Sequence, residues 1–191
     1  MRRAAALRAV PLALTALRAL LAPVVAALAL LAPSPPAFGA ALVAAFLSDV
    51  FDGIVARRLG VATPGLRRLD SLADTLFYVA ATFAAWHLHP DAITRRAGPL
   101  AVLVALEVAR YAFDLLKFRR EASYHMWSSK LWGLALFAGF LALLAFDADG
   151  AFVDLAVGLG ILADLEGLAI SVVLREWRTD VPTLWHAWRR R

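Results

Sequence analysis

The sequence contains no cysteine and few charged residues, and both shortages limit what the protein can be. Without cysteine, disulfide bonds and thiolate metal sites are excluded, so any metal must be bound by oxygen or imidazole ligands. Charged residues make up 18% of the chain and hydrophobic residues 62%. Because soluble domains are nearer one half apolar, this composition is typical of a membrane protein.

Several apolar stretches reach the roughly 20 residues that a helix needs to cross a bilayer. They predict an all-α integral membrane protein with six transmembrane helices, a short N-terminal interfacial segment and a polar cavity facing the cytoplasm. No linker or internal repeat divides the sequence, which favours a single domain over 1–191. The predicted spans cover about residues 12–32, 37–58, 70–89, 99–118, 130–147 and 151–174.

The first apolar run follows a basic start, a pattern that secretory signal peptides share. The run is longer than a usual signal core, contains Arg18, and is followed almost at once by the next span, so we expect a membrane helix. For Arg18 itself two interpretations stay open. Either its guanidinium contacts a phosphate group of a ligand, or the side chain extends to the aqueous interface.

Basic residues are distributed unevenly between the two sides of the predicted bundle. Six spans place both termini on one side, and most arginines and lysines fall there, whereas Arg95 and Arg96 fall on the other. Because cytoplasmic loops are rich in Lys and Arg, both termini are predicted to be cytoplasmic, in a bacterial-type inner or plasma membrane. This explains the net charge of +5 without nucleic-acid binding. The residues on the cytoplasmic side are Arg2, Arg3, Arg8, Arg57, Arg58, Arg67, Arg68, Lys117, Arg119, Arg120, Lys130, Arg175, Arg178, Arg189, Arg190 and Arg191.

Four aspartates lie in or beside the second and third predicted spans. Asp49 and Asp52 are three residues apart, and Asp70 and Asp74 are four apart, so each pair shares one helix face. The connector between the segments is short, which predicts antiparallel neighbours with all four carboxylates at one membrane depth. Ionisable groups inside a span are costly unless they are paired or bound to metal. All-oxygen ligation favours Mg²⁺, Mn²⁺ or Ca²⁺.

Two small residues, Gly53 and Ala56, continue the face that carries Asp49 and Asp52. Small residues there allow either a ligand or a neighbouring helix to approach the backbone. The adjoining Arg57 is a basic group suited to phosphate oxygens, which favours a ligand-binding surface.

At these residues the sequence resembles the CDP-alcohol phosphatidyltransferase family. The family motif reads D-x-x-D-G-x-x-A-R and then, after eight or nine residues, G-x-x-x-D-x-x-x-D. Here Asp49, Asp52, Gly53, Ala56 and Arg57 match the first part, and Asp70 and Asp74 match the second, at the shorter spacing. The second glycine of the motif would fall at Leu66, whereas the chain has Gly65. The run Pro11-x-x-x-Thr15-x-x-Arg18 followed by Pro23 is similar to the first span of the family, although Leu12 replaces a frequent asparagine.

The resemblance implies a metal-dependent enzyme of phospholipid biosynthesis. Such an enzyme transfers the phospho-alcohol unit of a CDP-linked alcohol to a hydroxyl acceptor and releases CMP. By resemblance, Asp49, Asp52 and Asp70 bind Mg²⁺ or Mn²⁺ ions, expected to be two, and Asp74 is the catalytic base and a further metal ligand. The nucleotide-binding residues would be Asp49, Gly53, Ala56, Arg57 and Thr15. A homodimer in the lipid bilayer is also expected from the family.

For the substrates, the resemblance and the basic residues suggest CDP-diacylglycerol as donor and glycerol 3-phosphate as acceptor, with inositol phosphate as another phosphorylated acceptor. A neutral or zwitterionic alcohol as acceptor, or a CDP-headgroup donor with diacylglycerol as acceptor, stays open. A phosphorylated acceptor needs a cationic partner, and Arg110 and Lys130 are the predicted acceptor-binding residues. An ion pair between Glu107 and Arg110, three residues apart, is an equally open interpretation of Arg110.

Two other functions remain as alternatives. A cation-coupled transporter also uses carboxylates inside the membrane, but its acidic groups would be spread across the bilayer rather than gathered near one face. A catalytically silent scaffold of the same fold is the other. It would gain nothing from keeping four costly aspartates.

Overall fold

The computed structural model describes residues 2–60 and 63–189; the predicted cytoplasmic residues Arg190 and Arg191 lie outside them. Within the described residues the secondary structure is helical apart from loops and one isolated bridge between Ser123 and Thr179. The helices are α1 (Arg2–Leu31), α2 (Pro35–Leu59), α3 (Pro64–Leu88), α4 (Pro90–Arg95), α5 (Ala97–Phe118), α6 (Trp127–Phe146), α7 (Ala151–Val173) and α8 (Leu184–Arg189).

Four stretches of helix are long and apolar enough to cross a membrane: Ala9–Leu31, Pro35–Leu59, Trp127–Phe146 and Ala151–Val173. The protein is therefore an integral membrane protein. The predicted third and fourth spans are also helices, α3 with 25 residues and α5 with 22, but they are not among these four. The prediction of six spans is thus supported for four, and it stays a prediction for α3 and α5.

Two helices begin earlier than the spans that the sequence predicts for them. The interfacial segment is not separate, because α1 runs without a break from Arg2 into the first span. The third helix begins at Pro64 rather than near residue 70. Thr63 caps it by accepting a hydrogen bond from the Leu66 N–H at 3.2 Å, and Pro64 takes the first position, where its missing N–H is tolerated.

The end of α2 is also set by local sequence. Gly60 adopts a left-handed conformation with φ of 65° and donates its N–H to the carbonyls of Ala56 and Arg57. Such a cap suits glycine because a side chain would be strained there. Arg57 and Arg58 lie in the last turn, where positive charge favours the helix dipole. A short connector to α3 follows, as the sequence predicts.

The described residues divide into two compact units, and the prediction of a single domain is not tested by this division. The first unit comprises Met1–Pro90 and Phe140–Ala148, and the second comprises Asp91–Gly139 and Asp149–Arg191. In the first unit, α1 packs against both α2 and α3. Small side chains dominate the contact and let the helices approach closely. The buried residues include Ala22, Val25, Ala29, Phe38, Ala41, Ala45, Ala73, Phe77, Ala81 and Ala84.

In the second unit, α7 packs against α5 and α8. Glycines on α7 allow the close approach of α5, since a Cβ on Gly160 would lie 2.8 Å from Leu103 Cδ1 and one on Gly167 would lie 2.9 Å from Arg110 Cδ. A hydrophobic cluster of Tyr124, Met126, Ile170, Leu174, Val181 and Ala187 holds the C-terminal segment against these helices. This segment includes the short helix α8.

Candidate metal centre

The four aspartates of α2 and α3 lie together in the first unit. Carboxylate oxygens of Asp49, Asp70 and Asp74 are all within 4.8 Å of one another, a spacing at which they are able to share one metal ion. Asp52 lies deeper, with 4% of its surface exposed. The spacings of three and four residues therefore place each pair on one helix face, and α1, which packs against both α2 and α3, brings the two faces together.

A single arginine from α1 contacts all four carboxylates. Arg18 Nη1 lies 3.2 Å from Asp49 Oδ1, and Nη2 lies 3.0 Å from Asp70 Oδ1. The same guanidinium also donates hydrogen bonds to Asp52 Oδ2 and Asp74 Oδ1. Arg18 is 2% exposed, so its side chain is shielded from solvent. The two interpretations of Arg18 from the sequence did not include this arrangement.

Polar side chains of α1 and α2 contact Arg18 and Asp52. Thr15 Oγ1 donates to the Pro11 carbonyl at 3.1 Å and also lies 3.5 Å from Asp52 Oδ2. Ser48 Oγ donates to the Ala45 carbonyl at 2.7 Å and is contacted by Arg18 Nε at 3.5 Å. The first span therefore forms one wall of the carboxylate site.

The donor set fits a hard divalent cation. All four side chains offer carboxylate oxygens, the ligands that Mg²⁺ and Mn²⁺ prefer. A positively charged group already lies among them, so the geometry accommodates a cation. Asp70 Oδ1 is buried and lacks a well-aligned hydrogen bond, although Arg18 Nη2 is 3.0 Å away, so it can still accept a ligand. Four carboxylates against one guanidinium leave negative charge that further cations would neutralise.

The predicted nucleotide-binding residues of α2 continue from this site. A Cβ on Gly53 would lie 3.2 Å from Arg57 Nη1, and its three nearest heavy atoms would all belong to the Arg57 guanidinium. The missing side chain thus makes room for Arg57 and not for a neighbouring helix, which favours the ligand-binding interpretation of Gly53. Ala56 is buried, as a packing residue would be.

The predicted acceptor-binding residues Arg110 and Lys130 belong to the second unit. Arg110 Nη2 donates to both carboxylate oxygens of Glu107 at 2.9 Å, and its Nε lies 3.2 Å from Asp164 Oδ1. The ion-pair interpretation of Arg110 is therefore present in the structure. Lys130 is exposed, with Nζ 4.4 Å from the centre of the Trp127 ring.

Two carboxylates that the sequence did not mark as functional are buried in the second unit. Asp114 and Asp164 are each 1% exposed, and each has a buried oxygen without a hydrogen bond. Asp114 shares α5 with Glu107, Arg110 and Lys117, and Asp164 lies on α7, so no local spacing in the sequence connects the two carboxylates. Near them, Tyr124 and Ser171 share a hydrogen bond of 2.9 Å, and burial raises the pKa of the Tyr124 hydroxyl.

The fold and the site together define an all-helical membrane protein with an oxygen-lined polar centre between neighbouring helices. A family model described as CDP-alcohol phosphatidyltransferase matches residues 8–177. Since the match covers most of the chain, the protein belongs to the CDP-alcohol phosphatidyltransferase family and is a transferase that moves a phosphatidyl group from a CDP-alcohol. The chain has no match among curated proteins, and none among solved structures.

Proposed function

We propose that the protein transfers the phosphatidyl group of CDP-diacylglycerol to the hydroxyl of glycerol 3-phosphate and releases CMP. In this reaction the acceptor oxygen attacks the phosphorus next to diacylglycerol, the bond to the CMP oxygen breaks, and the hydroxyl proton leaves to a base. The observation that supports the proposal most is the convergence of four carboxylates from two helices on a single cationic group.

Asp49, Asp52, Asp70 and Asp74 are the proposed ligands of two Mg²⁺ or Mn²⁺ ions. Bound there, the ions would polarise the diphosphate and neutralise charge on the departing CMP. The protein itself contributes rigidity, because the four side chains start from two helices that both pack against α1, rather than from loops.

Asp74 is the proposed general base. Its side chain is 33% exposed, whereas that of Asp52 is 6% exposed, so a substrate hydroxyl can reach Asp74 more easily. A carboxylate at hydrogen-bonding distance from the acceptor hydroxyl would accept its proton as the new phosphorus–oxygen bond forms. Because Asp74 is also a proposed metal ligand, one side chain would hold the ion and orient the acceptor.

The cytidine diphosphate pocket is proposed to follow the exposed end of α2. Gly53 lies one turn beyond Asp49, and the guanidinium of Arg57 lies against it. A guanidinium is well suited to bind phosphate oxygens. Ala56 and Thr15 are the remaining residues proposed to bind the nucleotide. Thr15 lies beside Asp52.

For the acceptor, Lys130 and Arg110 remain the proposed phosphate contacts. Lys130 is exposed and interacts only with an aromatic face among its described contacts, so it is able to bind an anion. Arg110 would have to exchange its contacts with Glu107 or Asp164 for the phosphate.

We further propose six spans with both termini and the site at the cytoplasmic face, and a homodimer. At about 1.5 Å per residue, the 25 residues of α3 and the 22 of α5 are long enough to cross the hydrocarbon layer. The excess of basic residues on one side supports the orientation. The homodimer is expected from the family alone.

The test is a panel of acceptors incubated with CDP-diacylglycerol, the purified protein and Mg²⁺ or Mn²⁺, with CMP release as the readout. Glycerol 3-phosphate should give the fastest release, inositol phosphate is the closest competitor by chemistry, and free glycerol should be poor. A second arm supplies a CDP-headgroup donor with diacylglycerol as acceptor. Faster release in that arm, or with an unphosphorylated alcohol, would contradict the proposed substrates. Transport of cations without any CMP release would instead support the transporter.

A further inference from the structure

The guanidinium of Arg18 occupies the position that the carboxylates would offer to a metal ion. It contacts Asp49 and Asp70 at 3.2 and 3.0 Å and hydrogen-bonds to Asp52 and Asp74, so every proposed metal ligand is one of its partners. The contacted atoms are carboxylate oxygens, the same atoms that would coordinate an ion. Arg18 and a divalent cation therefore need the same lone pairs.

The charges make this competition unavoidable. A guanidinium stays protonated at any pH that a protein tolerates, so Arg18 cannot become neutral to admit an ion. Buried at 2% exposure, it also needs its carboxylate partners, because an unpaired buried charge is strongly destabilising. Conversely, four neighbouring carboxylates repel one another unless a positive charge lies between them.

We propose that Arg18 is an internal counter-ion of the carboxylate cluster and competes with divalent metal ions for it. Arg18 holds the four side chains together before metal binds, and metal binding requires the guanidinium to give up some of these contacts. Its long, flexible side chain permits such a shift, and Ser48 Oγ at 3.5 Å from Nε is a polar contact outside the carboxylates. The inference rests on the proposed metal site, and it makes Arg18 a positioning residue for that site.

The first experiment measures Mn²⁺ binding by electron paramagnetic resonance to the purified full-length protein in detergent, without substrates. Arg18→Met removes the charge but keeps much of the side-chain length, and it should bind Mn²⁺ about tenfold more tightly than the wild type. Arg18→Lys keeps the charge and should stay near the wild-type affinity. The control is Arg96→Met, since Arg96 is also mostly buried and pairs with Asp149 and Asp154, far along the chain from this cluster. It should leave the affinity unchanged.

The outcomes separate this inference from the proposed function. If the wild type binds Mn²⁺ and Arg18→Met binds it equally or more weakly, the competition is refuted while the metal site stands. If neither the wild type nor Arg18→Met binds Mn²⁺, the metal site itself is refuted, and the competition with it.

A second measurement uses the wild type, in case Arg18→Met does not fold. The Nε–H signal of Arg18 is observed by NMR on protein with ¹⁵N-labelled arginine and is assigned by its loss in Arg18→Lys. Saturating Mg²⁺ should shift this signal and speed its exchange with water, because the guanidinium leaves carboxylate oxygens. A signal that is the same with and without Mg²⁺, while Mn²⁺ binding is intact, would overturn the proposal.

Discussion

Arg18 and Asp74, 56 positions apart in the sequence, form an ion pair that joins α1 to α3. Asp74 is the proposed base, so the first span reaches the centre of the proposed chemistry through this contact. The same guanidinium extends the link to α2 through Asp52. Three helices therefore meet at one charged cluster, and a change in any of them is expected to affect the site.

Asp74→Asn tests the proposed base. The amide keeps the size of the side chain but does not accept the acceptor's proton, so CMP release should fall by about 10²-fold or more. The variant should still insert into membranes and elute from a sizing column like the wild type. Asp91→Asn, which removes an exposed carboxylate from the short helix α4, is the control and should keep full activity. Full activity of Asp74→Asn at saturating metal and substrates would remove Asp74 from this role.

Gly53→Ala tests the proposed nucleotide pocket. The new Cβ would lie 3.2 Å from Arg57 Nη1 and would push the guanidinium aside. We expect the KM for the CDP-linked donor to rise several-fold with a smaller change in kcat. Stability should not fall, because alanine is favoured over glycine inside a helix by up to about 1 kcal/mol. Gly133→Ala on α6 is the matched control, since a Cβ at Gly133 would meet nothing within 4 Å. Equal KM values for both variants and the wild type would contradict the pocket.

The convergence of the aspartates could be predicted from sequence because it depends on short-range rules. Intervals of three and four residues fix the helix face, and the short connector keeps α2 and α3 close along the chain. The predicted direct packing of α2 on α3 is replaced by packing of both helices on α1. The start of α3 at Pro64 was also readable, since Thr63 followed by proline is a typical helix start.

The partner of the cluster could not be predicted in the same way. Whether Arg18 points at α2, α3, lipid or water depends on how α1 packs against both helices, which no local spacing specifies. Asp164 and Arg110 come together for the same reason, by packing of α7 on α5. A useful signal was present, however: four carboxylates in an apolar setting require positive charge, and Arg18 was the basic residue inside the first span.

Removal of divalent cations should abolish activity and lower thermal stability together. Ligand binding at a hundred times Kd stabilises a folded protein by about 2.7 kcal/mol, so Mg²⁺ or Mn²⁺ should raise Tm measurably. EDTA should eliminate CMP release, and excess Mg²⁺ or Mn²⁺ should restore it. In Asp70→Asn the increase in Tm with metal should be much smaller. An equal increase in that variant would show that the ion binds elsewhere.

Gly160→Ala tests the packing of the second unit. An added Cβ would lie 2.7 Å from Trp132 Nε1 and 2.8 Å from Leu103 Cδ1, so the helices would have to separate. Such overpacking costs about 1–3 kcal/mol, and Tm in detergent should fall. Gly158→Ala, two residues earlier on α7, is the control, because nothing lies within 4 Å of its Cβ position. A Tm for Gly160→Ala equal to that of the control would show that this contact is looser than these distances indicate.

The most direct test of the metal centre is anomalous diffraction from crystals grown with Mn²⁺ and a CDP-linked donor. We expect Mn²⁺ peaks within coordination distance of Asp49, Asp52, Asp70 and Asp74, with the guanidinium of Arg18 displaced from them. Peaks bound only elsewhere, or four aspartates still paired with Arg18 and no ion among them, would contradict the proposed centre.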